Sequence, residues 1–161
     1  MKKENLLKVA EVGIVSAVYV ALVYFFAPIS FLAFQFRLAE IVKPFVIYRK
    51  HLIWAMGIGT FVANLLFSPI IGPWDLIWNP VMDFIGGYLT WLLAKYISEY
   101  LAAGFYGVFV ALAVAISLVF TLEIPFWAAF LPVLVSELIL LVGGVPVVRE
   151  IHKRVKFEGS N

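Results

Sequence analysis

Cysteine is missing from these 161 residues, histidine occurs twice, and only 14% of the chain is charged. The first absence excludes disulfides, thiolate metal centres and cysteine nucleophiles, and two histidines cannot furnish a usual zinc ligand set. No GxxxxGK[ST] stretch is present, so the chain has no recognisable phosphate-cradling loop with which to hydrolyse ATP. It also lacks a serine–histidine or metal constellation, which argues against an enzyme and calls for no cofactor. A net charge of only +2 leaves no footprint for nucleic acid. Neither a low-complexity tract nor an internal repeat of the inverted-topology kind can be found.

What the chain has in excess is apolar surface. Its residues are 64% hydrophobic and 17% aromatic, far from the balance of a soluble domain. The expectation is an all-α integral membrane protein forming a single domain over residues 1–161, with a first apolar run that lacks a small-residue cleavage pattern and an N-terminus that reads as mature. Apolar segments near residues 8–28, 38–48, 52–69, 76–97, 102–121 and 126–148, separated by proline, glycine or charge, predict six transmembrane helices. The second is too short to cross roughly 30 Å of hydrocarbon at about 1.5 Å per residue. It is therefore either tilted in a locally thin region or preceded by the non-helical chain Pro28–Phe36. Such backbone survives at membrane depth only when buried in protein or lining a cavity, so this first loop is expected to cap a pocket. Lys2, Lys3, Lys8, Arg49, Lys50, Lys95, Arg149, Lys153, Arg154 and Lys156 fall at the two ends and in alternate loops, which puts both termini in the cytoplasm. The same basic ends suit anionic lipid of the bilayer.

Against this background, charge in apolar sequence is the informative signal. The stretch Phe34–Glu40, FQFRLAE, sets Arg37 and Glu40 where lipid tolerates neither. An ionisable pair there marks a site, the alternative being a structural ion pair that joins loop to helix. Arg37, Glu40 and Lys43 recur at intervals of three and share one side of a helix that begins near Arg37, with Pro44 loosening the ladder beside them. Away from the basic end stand Glu11, Glu40, Asp75, Asp83, Glu123 and Glu137 against Arg37 and Lys43, an acidic excess that a cationic ligand would balance. A charge at the bilayer centre costs about 2.5–3.5 kcal/mol on insertion scales, so Asp83 and Glu137 need partners, a proton or water. Glu11, Glu123, His51 and His152 read instead as solvated or interfacial.

Gly57, Gly59 and Ala63 form a small-residue face that carries Asn64, either a bond to a neighbouring helix or a ligand contact. Asp75, Trp78, Asn79 and Asp83 make one polar, aromatic face of the fourth segment. Trp74 and Trp78 suit stacking on a planar heterocycle or its cationic substituent, or else an interfacial belt, to which Trp54, Trp91 and Trp127 are assigned. Glu137, among small residues of the sixth segment, is placed to reach a central cavity. The candidate binding set is thus Arg37, Glu40, Asn64, Asp75, Trp78, Asn79, Asp83 and Glu137.

Over most of its length the chain resembles the substrate-binding S components of energy-coupling factor vitamin transporters, particularly the queuosine-precursor, QueT-type branch. The resemblance rests on Gln35-x-Arg37-x-x-Glu40 before the short second helix, on Gly59 with Ala63-Asn64, and on Asp75 entering the fourth segment. It implies a six-helix S-component fold with an outward-facing pocket closed by loops, in a bacterial or archaeal cell membrane. It further implies docking of a small first-helix motif, here Ala17-x-x-x-Ala21, onto a transmembrane coupling subunit that two partner ATPases power, with the S component reorienting to deliver its ligand. The implied ligand is 7-aminomethyl-7-deazaguanine or a related deazapurine. Asn79, Asp83 and Lys43-Pro44 depart from the family pattern and leave the ligand's identity open. Two other classes are compatible with the residues: a stand-alone proton-coupled secondary transporter for a small cationic or heterocyclic solute, and a structural membrane subunit whose polar residues only lock helices together.

Overall fold

A computed structural model of the chain describes residues 3–30 and 36–155, apart from the side chains of residues 68–73. The longest apolar runs become helices, because only intrasegment hydrogen bonding satisfies backbone groups away from water. These are α1 (Lys3–Phe25), α5 (Ser68–Leu93), α6 (Glu99–Leu122) and α7 (Phe126–Arg154). Among the described residues there is no strand. Three helices among the described residues, α1, α6 and α7, are both long and apolar enough to cross a membrane. Shorter pieces complete the chain: α2 (Ala27–Ser30), a 3-10 turn at Leu38–Val42, α3 (Phe45–Tyr48), a second 3-10 turn at Lys50–Leu52, and α4 (Ile53–Leu66).

Three boundaries differ from the sequence reading. Pro28 does not open an irregular loop; it sits within α2, and the part of the expected capping loop at residues 31–35, Gln35 included, lies outside the described residues. The expected second helix is not one α-helix either. Its backbone bonds run i to i+3, Glu40 N–H to the Arg37 carbonyl at 2.8 Å, Lys43 N–H to the Glu40 carbonyl at 3.0 Å and Val46 N–H to the Lys43 carbonyl at 3.2 Å. Pro44, which has no N–H to donate, stands at the junction as the residue before α3. Finally, the break expected after residue 69 is only Phe67: α5 starts at Ser68 and runs through Asp75, with proline in its first turn, where a missing N–H costs nothing.

Helix α4 folds back on α5, pairing Thr60 with Asp83 and Asn64 with Asp75, a register that closes toward Phe67. Helices α5, α6 and α7 pack in succession, α1 lies on α4, and the first 3-10 turn sits between α1 and α7. Its seat on α7 depends on glycine. A Cβ built on Gly144 would stand 2.4 Å from the Ile41 carbonyl oxygen, a backbone atom that cannot swing aside.

One end of the bundle collects the basic chain. Glu11 of α1 binds Arg49 Nη1 at 3.0 Å and His51 Nε2 at 2.6 Å, while Arg49 Nε donates to His152 Nδ1 at 3.3 Å. His152 stacks on Tyr48, whose hydroxyl donates to Glu99; Glu99 also pairs with Arg149. Lys50 and Lys95 lie over the Trp91 ring. Glu11, His51 and His152 are therefore not solvated singles; they link the start of α1, the turn before α4 and the end of α7. Proximity of basic loop residues in sequence concealed this, because solvent and a carboxylate on another helix stabilise a cation equally well on paper.

Gly144→Ala is expected to destabilise the protein by about 1–3 kcal/mol, the usual cost of overpacking where backbone must shift, whereas Gly143→Ala, where a built Cβ meets nothing within 4 Å, should be nearly silent. Thermal unfolding in detergent measures both; equal melting temperatures for the two variants would contradict the seating of the 3-10 turn on Gly144.

Candidate functional site

Three residues per turn is the period of a 3-10 helix, so side chains spaced by three eclipse one another. This is why Arg37, Glu40 and Lys43 come to one face of the Leu38–Val42 turn and its flanks. All three are buried. They meet Thr60 of α4, Asn79, Met82 and Asp83 of α5, Val110, Ala113 and Val114 of α6, and Glu137 of α7 around one hollow. Its volume is about 10 Å³, room for about a single water.

The centre of the hollow is an ion triplet. Lys43 Nζ lies 2.5 Å from Glu40 Oε2 and 2.6 Å from Asp83 Oδ1, and sits 5.5 Å from the centroid of the Tyr106 ring. Hydroxyls occupy the remaining acceptors: Tyr19 donates to Glu40 Oε1 at 2.6 Å and Thr60 to Asp83 Oδ2 at 2.5 Å. Tyr106 donates to the Asp83 carbonyl at 3.0 Å, fixing that turn of α5. Charges this deep are tolerated only when paired and hydrogen-bonded, and here both carboxylates are.

Two other acceptors of the lining are not so provided for. Glu137 Oε2 and Asn79 Oδ1 are buried and meet no hydrogen-bond donor among the described residues. Counting formal charges, the lining holds Arg37 and Lys43 against Glu40, Asp83 and Glu137, an excess of one negative charge. An unpaired acceptor in a dry site costs roughly 1–3 kcal/mol. A donor from outside the chain would remove that cost.

Of the eight residues picked out in the sequence, Arg37, Glu40, Asn79, Asp83 and Glu137 line the hollow, and three stand behind it. Asp75 accepts from Asn79 Nδ2 at 3.1 Å and, through its carbonyl, from Asn64 Nδ2 at 2.8 Å, so Asp75 orients Asn79 and Asn64 ties α4 to the same turn of α5. Trp78 donates its indole N–H to the Ala113 carbonyl at 2.9 Å and stacks on Trp74. Residues that the sequence reading left out of the set are Lys43, Thr60, Tyr19 and Tyr106. For Lys43 the three-residue spacing was a usable signal; a lone hydroxyl in an apolar helix offers none.

On the first helix, Glu11, Ser16, Tyr19 and Val23 are buried, while Gly13, Ala17 and Ala21 are exposed on another face. The Ala17-x-x-x-Ala21 motif is therefore not used for packing within the chain.

The family model described as QueT transporter matches residues 9–153. The chain belongs to the QueT transporter family. Membership supports a membrane transport role, and three of the described helices are long and apolar enough to cross a membrane. Comparisons with curated proteins and with solved structures give no match.

Lys43→Met alone leaves two buried carboxylates without their cation and is expected to cost about 3–5 kcal/mol. Adding Asp83→Asn restores the balance and should recover part of the loss. Thermal unfolding of both variants decides this; a double variant less stable than the single one would contradict the triplet as drawn.

Proposed function

We propose that this chain is the substrate-binding S component of an energy-coupling factor importer and that its ligand is a queuosine precursor, 7-aminomethyl-7-deazaguanine or a close deazapurine. The observation that carries this reading is the closed, acid-rich hollow in a QueT family member. Its formal excess of negative charge suits a ligand bearing an ammonium. Its unsatisfied oxygens on Asn79 and Glu137 suit the N–H groups of a purine-like edge. Arg37, Glu40, Asn79, Asp83 and Glu137 are the contacts in this reading, with Asn64 and Asp75 supporting Asn79 and Trp78 holding the Ala113 carbonyl of α6 behind them.

A hollow the size of one water cannot hold a bicyclic ring, so binding is coupled to opening. The movable element in this reading is the short 3-10 stretch Leu38–Val42, because such turns have few and poor hydrogen bonds of their own. With six spans and the basic end of the bundle facing the cytoplasm, both termini lie inside and the hollow is reached from outside. Energy comes from two ATPases through a coupling subunit, which docks on the exposed small face of α1 formed by Ala17 and Ala21, where close backbone approach is possible.

Glu137→Gln should weaken binding of the aminomethyl deazapurine by about 10–100-fold, the worth of a hydrogen bond to a charged group, as read by titration calorimetry on the purified chain. Ala17→Leu should leave that binding unchanged and cut ATP-dependent uptake, in vesicles carrying the full complex, by at least about tenfold. Uptake by the chain alone on a proton gradient would overturn this assignment in favour of a secondary transporter, and absence of any ligand effect would favour a structural subunit.

A further inference from the structure

Lys43 is the one ammonium among the described residues lining the hollow, and its bonding leaves something over. An ammonium has three N–H donors. One is directed to Asp83 Oδ1 at 2.6 Å, and Glu40 Oε2 lies 2.5 Å from the nitrogen as its ion-pair partner. Held from both sides, with its stem buried, Lys43 is not free to follow a ligand's shape. It is a fixed donor in the wall.

The same hollow is lined by two acceptors, Glu137 Oε2 and Asn79 Oδ1, that have no donor among the described residues. A lining that offers an ammonium donor together with a carboxylate and an amide oxygen is complementary to a ring edge that carries an acceptor next to donors. A guanine-type edge has this order: a ring carbonyl, then a ring N–H, then an exocyclic amine. Lysine is a common reader of the carbonyl, and a carboxylate can take the two adjacent N–H groups together.

We infer that Lys43 is a specificity-determining residue that donates its third N–H to the ring carbonyl of the ligand, while Glu137 and Asn79 accept from the ring's N–H and amine. This rests on the deazapurine reading above and adds the ring's orientation to it. A substituent at position 7 is next to the carbonyl, so an aminomethyl group there comes to rest beside Glu40 and Asp83, the two carboxylates that flank Lys43. Those carboxylates then serve two ammonium groups, one from the chain and one from the ligand. Lys43 thereby selects the 6-oxo group, and the acids select the charge.

The test compares 7-aminomethyl-7-deazaguanine with its 6-thio analogue, which keeps the ring N–H and the amine but accepts hydrogen bonds weakly. Affinities are measured by calorimetry on the purified chain for the wild type, Lys43→Met, Lys43→Arg, and the charge-balanced pair Lys43→Met with Asp83→Asn, which guards against failure of the single variant to fold. The wild type should prefer oxo over thio by about tenfold or more. Lys43→Arg, which still donates, should keep a preference, and both Met variants should lose it to within about threefold. An undiminished preference in the Met variants, or no preference in the wild type, overturns the role of Lys43 while leaving the deazapurine reading in place. Binding of neither compound by the wild type overturns that reading, and the role of Lys43 with it.

Discussion

The contact on which the rest depends is the ammonium of Lys43 held between Glu40 and Asp83. It joins the 3-10 turn to α5, and through the hydroxyls of Tyr19 and Thr60 it brings in α1 and α4. Four elements are thus tied to one point. A hydrophobic core alone would not choose this arrangement, because helices in an apolar medium gain little by exchanging lipid for one another. Paired buried charges penalise any arrangement that separates them. Closure of the hollow follows, since the same residues that fix the helices fill the space a ligand would need.

The two faces of α1 divide its work. Its buried face reaches the hollow through Tyr19 and anchors to α4 through Ser16, which donates to the Ala55 carbonyl at 3.2 Å. The other face offers Gly13, Ala17 and Ala21 to the surroundings. A partner seated on that face would press on a helix one side chain away from Glu40. In the first half of the same helix, Glu11 ties it to Arg49 and His51, so α1 is held at Glu11, Ser16 and Tyr19 with the small face turned away from them.

Much of this was legible in the sequence, and the reasons are particular. Arg37, Glu40 and Lys43 announced themselves because charge in apolar sequence is costly and a spacing of three is unusual. Asp83 and Glu137 were visible for the same cost. Their partners were not: Thr60 and Tyr19 are single hydroxyls in apolar helices, and sequence carries no record of which helix lies opposite. Asp75 and Asn64 were read as contacts but stand one layer back, since a spacing of four along α5 places Asp75, Asn79 and Asp83 on one face without saying which turn meets the hollow. The boundaries near Pro28 and Phe67 were misjudged because proline was taken as a break, whereas in a first turn or a single short turn it is tolerated. The Glu11 network was missed because basic loop sequence reads as solvated until another helix is seen to supply the counter-charge.

The central claim is that the acidic hollow is a ligand seat and not merely a knot of structural charge. Native mass spectrometry of the chain, purified gently from membranes and then exposed to 7-aminomethyl-7-deazaguanine, tests it most directly. A stoichiometric adduct of one deazapurine per chain, lost in Glu137→Gln, is the predicted result. Bare protein under the same conditions, with the compound present in excess, would contradict the account.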